Sequence, residues 1–184
     1  MQAHANDLSL KCNAPVPYCP PPATALWDTD SRSSIRAMFV DVLTEIDISR
    51  PVAEVAAFAA DPDNAPRWYF NIKSVEWKSD RPLSVGSRVA FVAHFLGRRM
   101  AYTYEFVEIV SNERLVMRTA EGPFPMETTY TWTGSEGGRT QMRLRNRGSP
   151  SGFYALMAPM MAIAMRRANR ADLARLKKLL EIPR

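Results

Sequence analysis

From Met38 to Ile48 apolar and polar residues alternate in MFVDVLTEIDI, with Val40, Val42 and Ile46 on one side and Asp41, Glu45 and Asp47 on the other. A period of two predicts a strand with one wetted face. The pattern then changes. Ser49-Arg50-Pro51-Val52-Ala53-Glu54 offers an N-cap serine and an early proline, and VAEVAAFAA continues at helical spacing as far as Asp61-Pro62. Asp-Pro-Asp-Asn then supplies turn and cap chemistry for a second short helix over Asp63–Trp68.

Ile72 to Arg147 reads as six strands divided by turn residues at the spacing of an antiparallel meander. Val75 and Trp77 mark the first. Val89, Phe91, Ala93 and Phe95 alternate along the second, Met100, Tyr102, Tyr104 and Phe106 along the third, and Leu115 and Met117 lead the fourth. Met126, Thr128, Tyr130 and Trp132 share a face of the fifth, and Gly134 to Gly138 form the strongest hairpin signal in the chain. Met142 and Leu144 alternate with Arg143, Arg145 and Arg147 in the last, as in a sheet whose outer side meets water. After Gly148-Ser149-Pro150 the period becomes helical up to about Glu181. Pro159 is expected to break this segment into a short piece, Gly152–Ala158, and a long one, because it lacks an N–H and crowds the preceding turn. Met161, Ala164, Met165, Ala168, Leu173, Leu176, Leu179 and Leu180 form the apolar stripe of the long piece, and most of its arginines and lysines fall elsewhere.

A chain of 184 residues with 46% hydrophobic content can bury one substantial core. Residues 1–36 stand apart. They carry Pro15, Pro17, Pro20, Pro21 and Pro22 without sustained periodicity, and are expected to form a disordered arm. Cys12 and Cys19 lie within it, too few for a zinc set, and are expected to be a reduced, idle pair. Met38, directly before the first alternating run, reads as an alternative start of translation. With no apolar run of about 18 residues and no basic-then-apolar leader, a soluble cytoplasmic protein is expected. A net charge of +5 is modest and does not call for nucleic acid.

The order of strand, two short helices, six strands and long helix resembles the START-like, or SRPBCC, superfamily, in particular its polyketide cyclase/dehydrase-like branch. Carrying residues are Glu45 to Val55 at the first strand-to-helix junction, Asp61-Pro62-Asp63-Asn64-Ala65-Pro66-Arg67-Trp68-Tyr69 across the second helix, Val85-Gly86-Ser87-Arg88-Val89 before a strand, and Leu173 to Glu181. The likeness spans roughly residues 38–182. It implies an α+β helix-grip fold, a curved antiparallel sheet of about seven strands around a long C-terminal helix, with a cavity between them entered near the two short helices. Its members include lipid and sterol carriers, aromatic polyketide cyclases and hormone receptors, so the likeness alone leaves the ligand open.

The faces assigned inward are rich in methionine and aromatic side chains. Phe91, Phe95, Tyr102, Tyr104, Phe106, Met117, Met126, Tyr130, Trp132 and Met142 would oppose Met157, Met160, Met161 and Met165, and the ten methionines suit an adaptable lining. Any one of these residues could simply fill a core; together they suggest a pocket, with Trp68 shaping its entrance. Expected ligand contacts are therefore Trp68, Phe91, Phe95, Tyr102, Tyr104, Phe106, Met117, Met126, Tyr130, Met157, Met161 and Met165.

A catalytic apparatus is not legible. His94 falls on the outer parity, and Glu105 and Glu127 point outward toward Arg143 and Arg145 as solvated ion pairs. Neither a Ser-His-Asp set, a phosphate loop nor a metal-ligand spacing occurs, so no metal, nucleotide or other cofactor is expected. The cationic side of the terminal helix reads first as a solvated charge run, and second as a surface for transient contact with anionic lipid headgroups. The leading expectation is a binding or carrier protein for a small hydrophobic molecule such as a lipid or polyketide-like compound. A cyclase or dehydratase comes second, and a protein-interaction module with a vestigial cavity third.

Overall fold

The computed structural model describes residues 39–95, 98–122, 124–150 and 157–182. The Pro-rich arm with Cys12 and Cys19, the start at Met38 and residues 152–156 of the expected short helical piece lie outside the described residues, as do the side chains of His94 and Phe95.

Among the described residues seven strands and three α-helices follow one another as β1 (Val40–Ile48), α1 (Val52–Ala60), a 3-10 turn (Pro62–Asn64), α2 (Ala65–Trp68), β2 (Ile72–Trp77), β3 (Arg88–Phe95), β4 (Arg98–Val110), β5 (Arg114–Glu121), β6 (Met126–Ser135), β7 (Arg139–Gly148) and α3 (Ala158–Glu181). The strands make a single curled antiparallel sheet in the order β1-β7-β6-β5-β4-β3-β2. The last strand closes back on the first, while β2 to β7 form the expected meander. Register shifts between Thr103 and Tyr104 and between Phe106 and Glu108 interrupt the β4/β5 pairing, and another lies between Ile72 and Ser74 on β2. Extra residues of this kind bend a strand and sharpen its twist, which curls the sheet toward α3.

The first helix begins differently from the expectation. Pro51 is its N-cap and no side chain caps it, while the Ser49 N–H donates to Glu181 Oε1 at 2.6 Å. Arg50 reaches the same place, donating from Nε to the Leu180 carbonyl at 2.7 Å and from Nη2 to that of Ile182 at 3.2 Å. The strand-to-helix junction thus satisfies orphan groups at the C-terminus of α3. The long helical piece begins at Ala158, where Pro159 was expected to start it. Pro159 sits in the first turn of α3, where its missing N–H would have had no helical partner, and the Met161 N–H bonds to Met157 O at 2.9 Å.

Between β6 and β7, Gly137 and Gly138 take φ of +79° and +71°. A Cβ at either would meet nothing within 4 Å, so any cost of substitution is backbone strain alone. Gly138→Ala is expected to destabilise the fold by about 1–2 kcal/mol, read as a lower urea midpoint at unchanged slope.

The outer face carries an alternating ladder of charges. Arg88 lies opposite Glu105, Glu105 opposite Arg118, Arg118 opposite Glu127, Glu127 opposite Arg147, and Arg147 opposite Asp41. Arg88 bonds Glu105 at 2.8 Å and Arg118 bonds Glu127 at 2.9 Å. This corrects the expected partners of Glu105, whereas Glu127, on β6 beside β7, faces Arg147 and also attracts Arg145. Arg143 instead pairs with Glu45 and Arg145 with Asp41, because β7 lies next to β1 and β4 is three strands away.

Candidate functional site

The inner face has two ends of different character. At the Ile48 end, Ile48, Leu115, Trp132, Met142 and Leu144 pack against Leu173, Leu176 and Leu180 of α3 and against Val55, Ala56, Ala59, Ala65 and Trp68 of the short helices, all of them buried. At the Val40 end the first half of α3 faces β1, where Val40, Val42 and Ala158 pack with Ala162 and Met165. Here burial is incomplete. Met157, Met161 and Met165 on the helix stripe, and Tyr102, Tyr104 and Met126 on the sheet, are only half-buried.

Of the twelve expected ligand contacts, five belong to the packed core: Trp68, Phe91, Phe106, Met117 and Tyr130. Six are the half-buried residues just named, and the twelfth, Phe95, has no described side chain. Trp68, expected to shape an entrance, is enclosed in this structure. It is 0% exposed, stacked 3.9 Å from Tyr69 and 6.0 Å from Tyr130 between ring centroids. The short helices, near which the resemblance implies an opening, pack on this core. Two recesses stand out among the described residues, and neither is the expected interior space. One of about 540 Å³ lies at the outer rim of the sheet against Phe39, Asp41, Glu127 and Arg147, and touches only Met126 of the expected contacts. The other, about 360 Å³, lies outside α1 between Phe58, Arg67 and Leu179.

Polar groups interrupt the apolar interior. Tyr69 Oη and Tyr130 Oη are 2.6 Å apart, and burial holds both phenols protonated by raising their pKa above the usual range. Asp172, 2% exposed, accepts the Phe70 N–H at 2.8 Å, and loss of hydration pushes its carboxyl up to about 6. Burial raises the Tyr104 phenol as well. Thr44 Oγ1, Asn146 Oδ1, Asn169 Nδ2 and the indole N–H groups of Trp68 and Trp132 are buried without hydrogen-bond partners among the described residues.

Tyr69, Thr44, Asn146, Asn169 and Asp172 were not singled out from the sequence. A signal existed for four of them. Thr44 and Asn146 have the inner parity of their strands, and Asn169 and Asp172 interrupt the apolar stripe of α3. The backbone of His94 pairs with Arg99 near the β3/β4 turn. Among the described residues no cluster of histidine, cysteine and carboxylate side chains could hold a metal ion, and no helix is long and apolar enough to cross a membrane.

Solved structures share this architecture. An aromatase/cyclase, Zhui, from Streptomyces sp. R1128 superposes with a TM-score of 0.66 at 17% identity, covering 78% of this chain and 94% of its own. TTHA0849 from Thermus thermophilus gives 0.65 at 21% identity, covering 75% and 94%. A START superfamily protein from Mycobacterium smegmatis gives 0.56 at 11%, covering 73% and 98%. At such identities the likeness concerns the fold. Among curated protein sequences none matches. The family described as polyketide cyclase / dehydrase and lipid transport matches residues 40–181, from the first residue of β1 to the last of α3, and the chain belongs to that family.

Proposed function

We propose that the chain binds and carries one small, mainly apolar molecule between the Val40 end of the inner face and the first half of α3. One observation carries this reading. Along a single helical stripe, Leu173 and Leu176 are sealed while Met161 and Met165 keep accessible surface, and the sheet residues Tyr102, Tyr104 and Met126 do the same. A core built only for stability would gain by burying this surface, since buried apolar area contributes about 25 cal/mol per Å². Flexible thioethers and two phenols at such a place suit a guest of variable shape. The opposite side of α3 presents exposed Met160 and Ile163 beside Arg166, Arg167 and Arg170, which suits brief docking on anionic headgroups while the guest is exchanged.

Titration with 6-propionyl-2-dimethylaminonaphthalene, a neutral probe whose emission shifts to the blue in apolar surroundings, tests the reading. Saturable binding of about one probe per chain is expected, weakened tenfold or more by Met161→Glu and unchanged by Met160→Glu on the exposed side. Absence of saturable binding, or equal sensitivity to both substitutions, would contradict it.

A cyclase or dehydratase reading has one observation in its favour, the pair of half-buried Tyr69 and buried Tyr130 near Asp172. Protonated phenols could donate to a substrate carbonyl, and a carboxyl poised near 6 could move a proton. Carriage is the preferred reading because this cluster lies in the sealed end, where a substrate would have to displace packed side chains.

A further inference from the structure

Three buried polar atoms without partners lie on three elements that meet at the boundary between the sealed and the half-open ends. Thr44 is on β1, Asn146 on β7 and Asn169 on α3, with exposures of 7%, 9% and 4%. The register fixes their neighbourhood. Asn146 lies opposite Val42 on one side and Thr128 on the other, and Thr44 lies opposite Leu144, one inward row away. Helix α3 packs along β1, and Asn169 sits one turn beyond Met165, which itself packs on Val40 and Val42. The orphan atoms are chemically complementary to a guest. Asn146 Oδ1 needs a donor, Asn169 Nδ2 needs an acceptor, and the Thr44 hydroxyl can serve as either.

Leaving such atoms unpaired in a folded interior is unfavourable, and replacement of both members of a buried polar pair by apolar groups is often neutral. A guest that bonds these three atoms would remove that cost. Charge complementarity narrows the guest. Along β1, β6 and β7 every side chain of inner parity is apolar or neutral, and the one ionisable group of the nearby helix stripe is Asp172, a carboxyl. A carboxylate or phosphate would meet no cation there and would be costly to bury.

We infer that Thr44, Asn146 and Asn169 form an anchor for a neutral guest bearing a hydroxyl and a carbonyl on an otherwise apolar body. This rests on the proposed carriage reading and names the chemical class of its ligand. The hydroxyl donates to Asn146 Oδ1, the carbonyl accepts from Asn169 Nδ2, and the apolar body extends toward Met161, Met126 and Tyr102. Selection then follows from unpaired atoms, because a guest lacking either group leaves them buried and unbonded.

Three naphthalenes of similar size separate the outcomes by calorimetric titration: 6-hydroxy-2-acetylnaphthalene, 2-ethylnaphthalene and 6-hydroxy-2-naphthoate. The hydroxyketone is expected to bind tenfold or more tighter than either of the others. Asn146→Leu and Asn169→Leu, which nearly conserve volume, should each reduce that preference by about tenfold. Each should also raise the melting temperature of the unliganded protein by about 2–4 °C, since an orphan polar atom is removed. Equal binding of hydroxyketone and 2-ethylnaphthalene would overturn the inference while leaving the carriage reading standing. Tightest binding of the naphthoate would overturn it in favour of a charged guest. A fall in melting temperature in both variants would show that the amides are already bonded and overturn it as well. Failure of all three compounds to bind would remove the carriage reading and the anchor together.

Discussion

Trp68→Ala is expected to destabilise the protein by about 3–5 kcal/mol, the range for removing a large buried aromatic side chain. The indole is wholly buried and touches the rings of Tyr69 and Tyr130. It also ends α2, a helix of four residues too short to persist without tertiary packing. Through that helix it positions Phe70, whose N–H is held by Asp172. Urea unfolding at neutral pH measures the effect as a lower midpoint. A loss below about 1 kcal/mol, combined with much weaker probe binding, would instead place Trp68 at a ligand entrance and contradict the packing described above.

Asp172→Asn is expected to stabilise the protein above pH 6 and to flatten its pH dependence. In the folded chain burial raises this carboxyl from the ordinary 3.8 to about 6. Between those values the native state holds a proton that the unfolded chain has released, so native stability falls as pH rises through the window and the loss is complete above it. At 1.36 kcal/mol per pH unit the penalty at pH 7–8 amounts to about 3 kcal/mol at most. Asparagine keeps an oxygen for the Phe70 N–H and has no charge to desolvate, so it escapes that penalty. Unfolding free energies from pH 4 to pH 8 should therefore diverge progressively, with the variant the more stable at the alkaline end. Parallel curves for the two proteins would show that Asp172 is not desolvated as its burial implies.

Much of the fold was legible because period-two and period-3.6 patterns are imposed by burial, and burial is what organises this domain. All seven strands and the terminal helix appear where alternation or the stripe put them. What the pattern missed was local and competitive. Ser49 has cap chemistry, but its N–H is taken by Glu181, and Pro51 starts the helix without help from a side chain. Glu105 of β4 pairs with Arg88 rather than with an arginine of β7, because strand order, which sets β7 three strands away, is not written in any one strand.

The candidate site was legible in outline only. Parity alone sorted inner from outer residues, yet Phe106 and Met126, both inward, differ in burial because depth depends on where the helices press. Trp68 carried a reading borrowed from relatives, and here the short helices bury it. The residues most informative about a guest, Thr44, Asn146 and Asn169, are polar positions inside apolar patterns. Their significance emerges only when three separate elements are brought together and each is found without a partner.

The central claim is that space for a guest lies at the Val40 end and nowhere in the sealed core. Carbon-13 labelling of the methionine methyl groups tests it directly, because these residues sample every environment of α3 and the sheet. On titration with the propionyl naphthalene probe, the methyl resonances of Met126, Met161 and Met165 should shift, while those of Met142, wholly buried at the Ile48 end, and Met160, exposed on the outer side of α3, stay in place. Shifts at Met142 or Met160 with Met161 and Met165 unmoved would contradict the account.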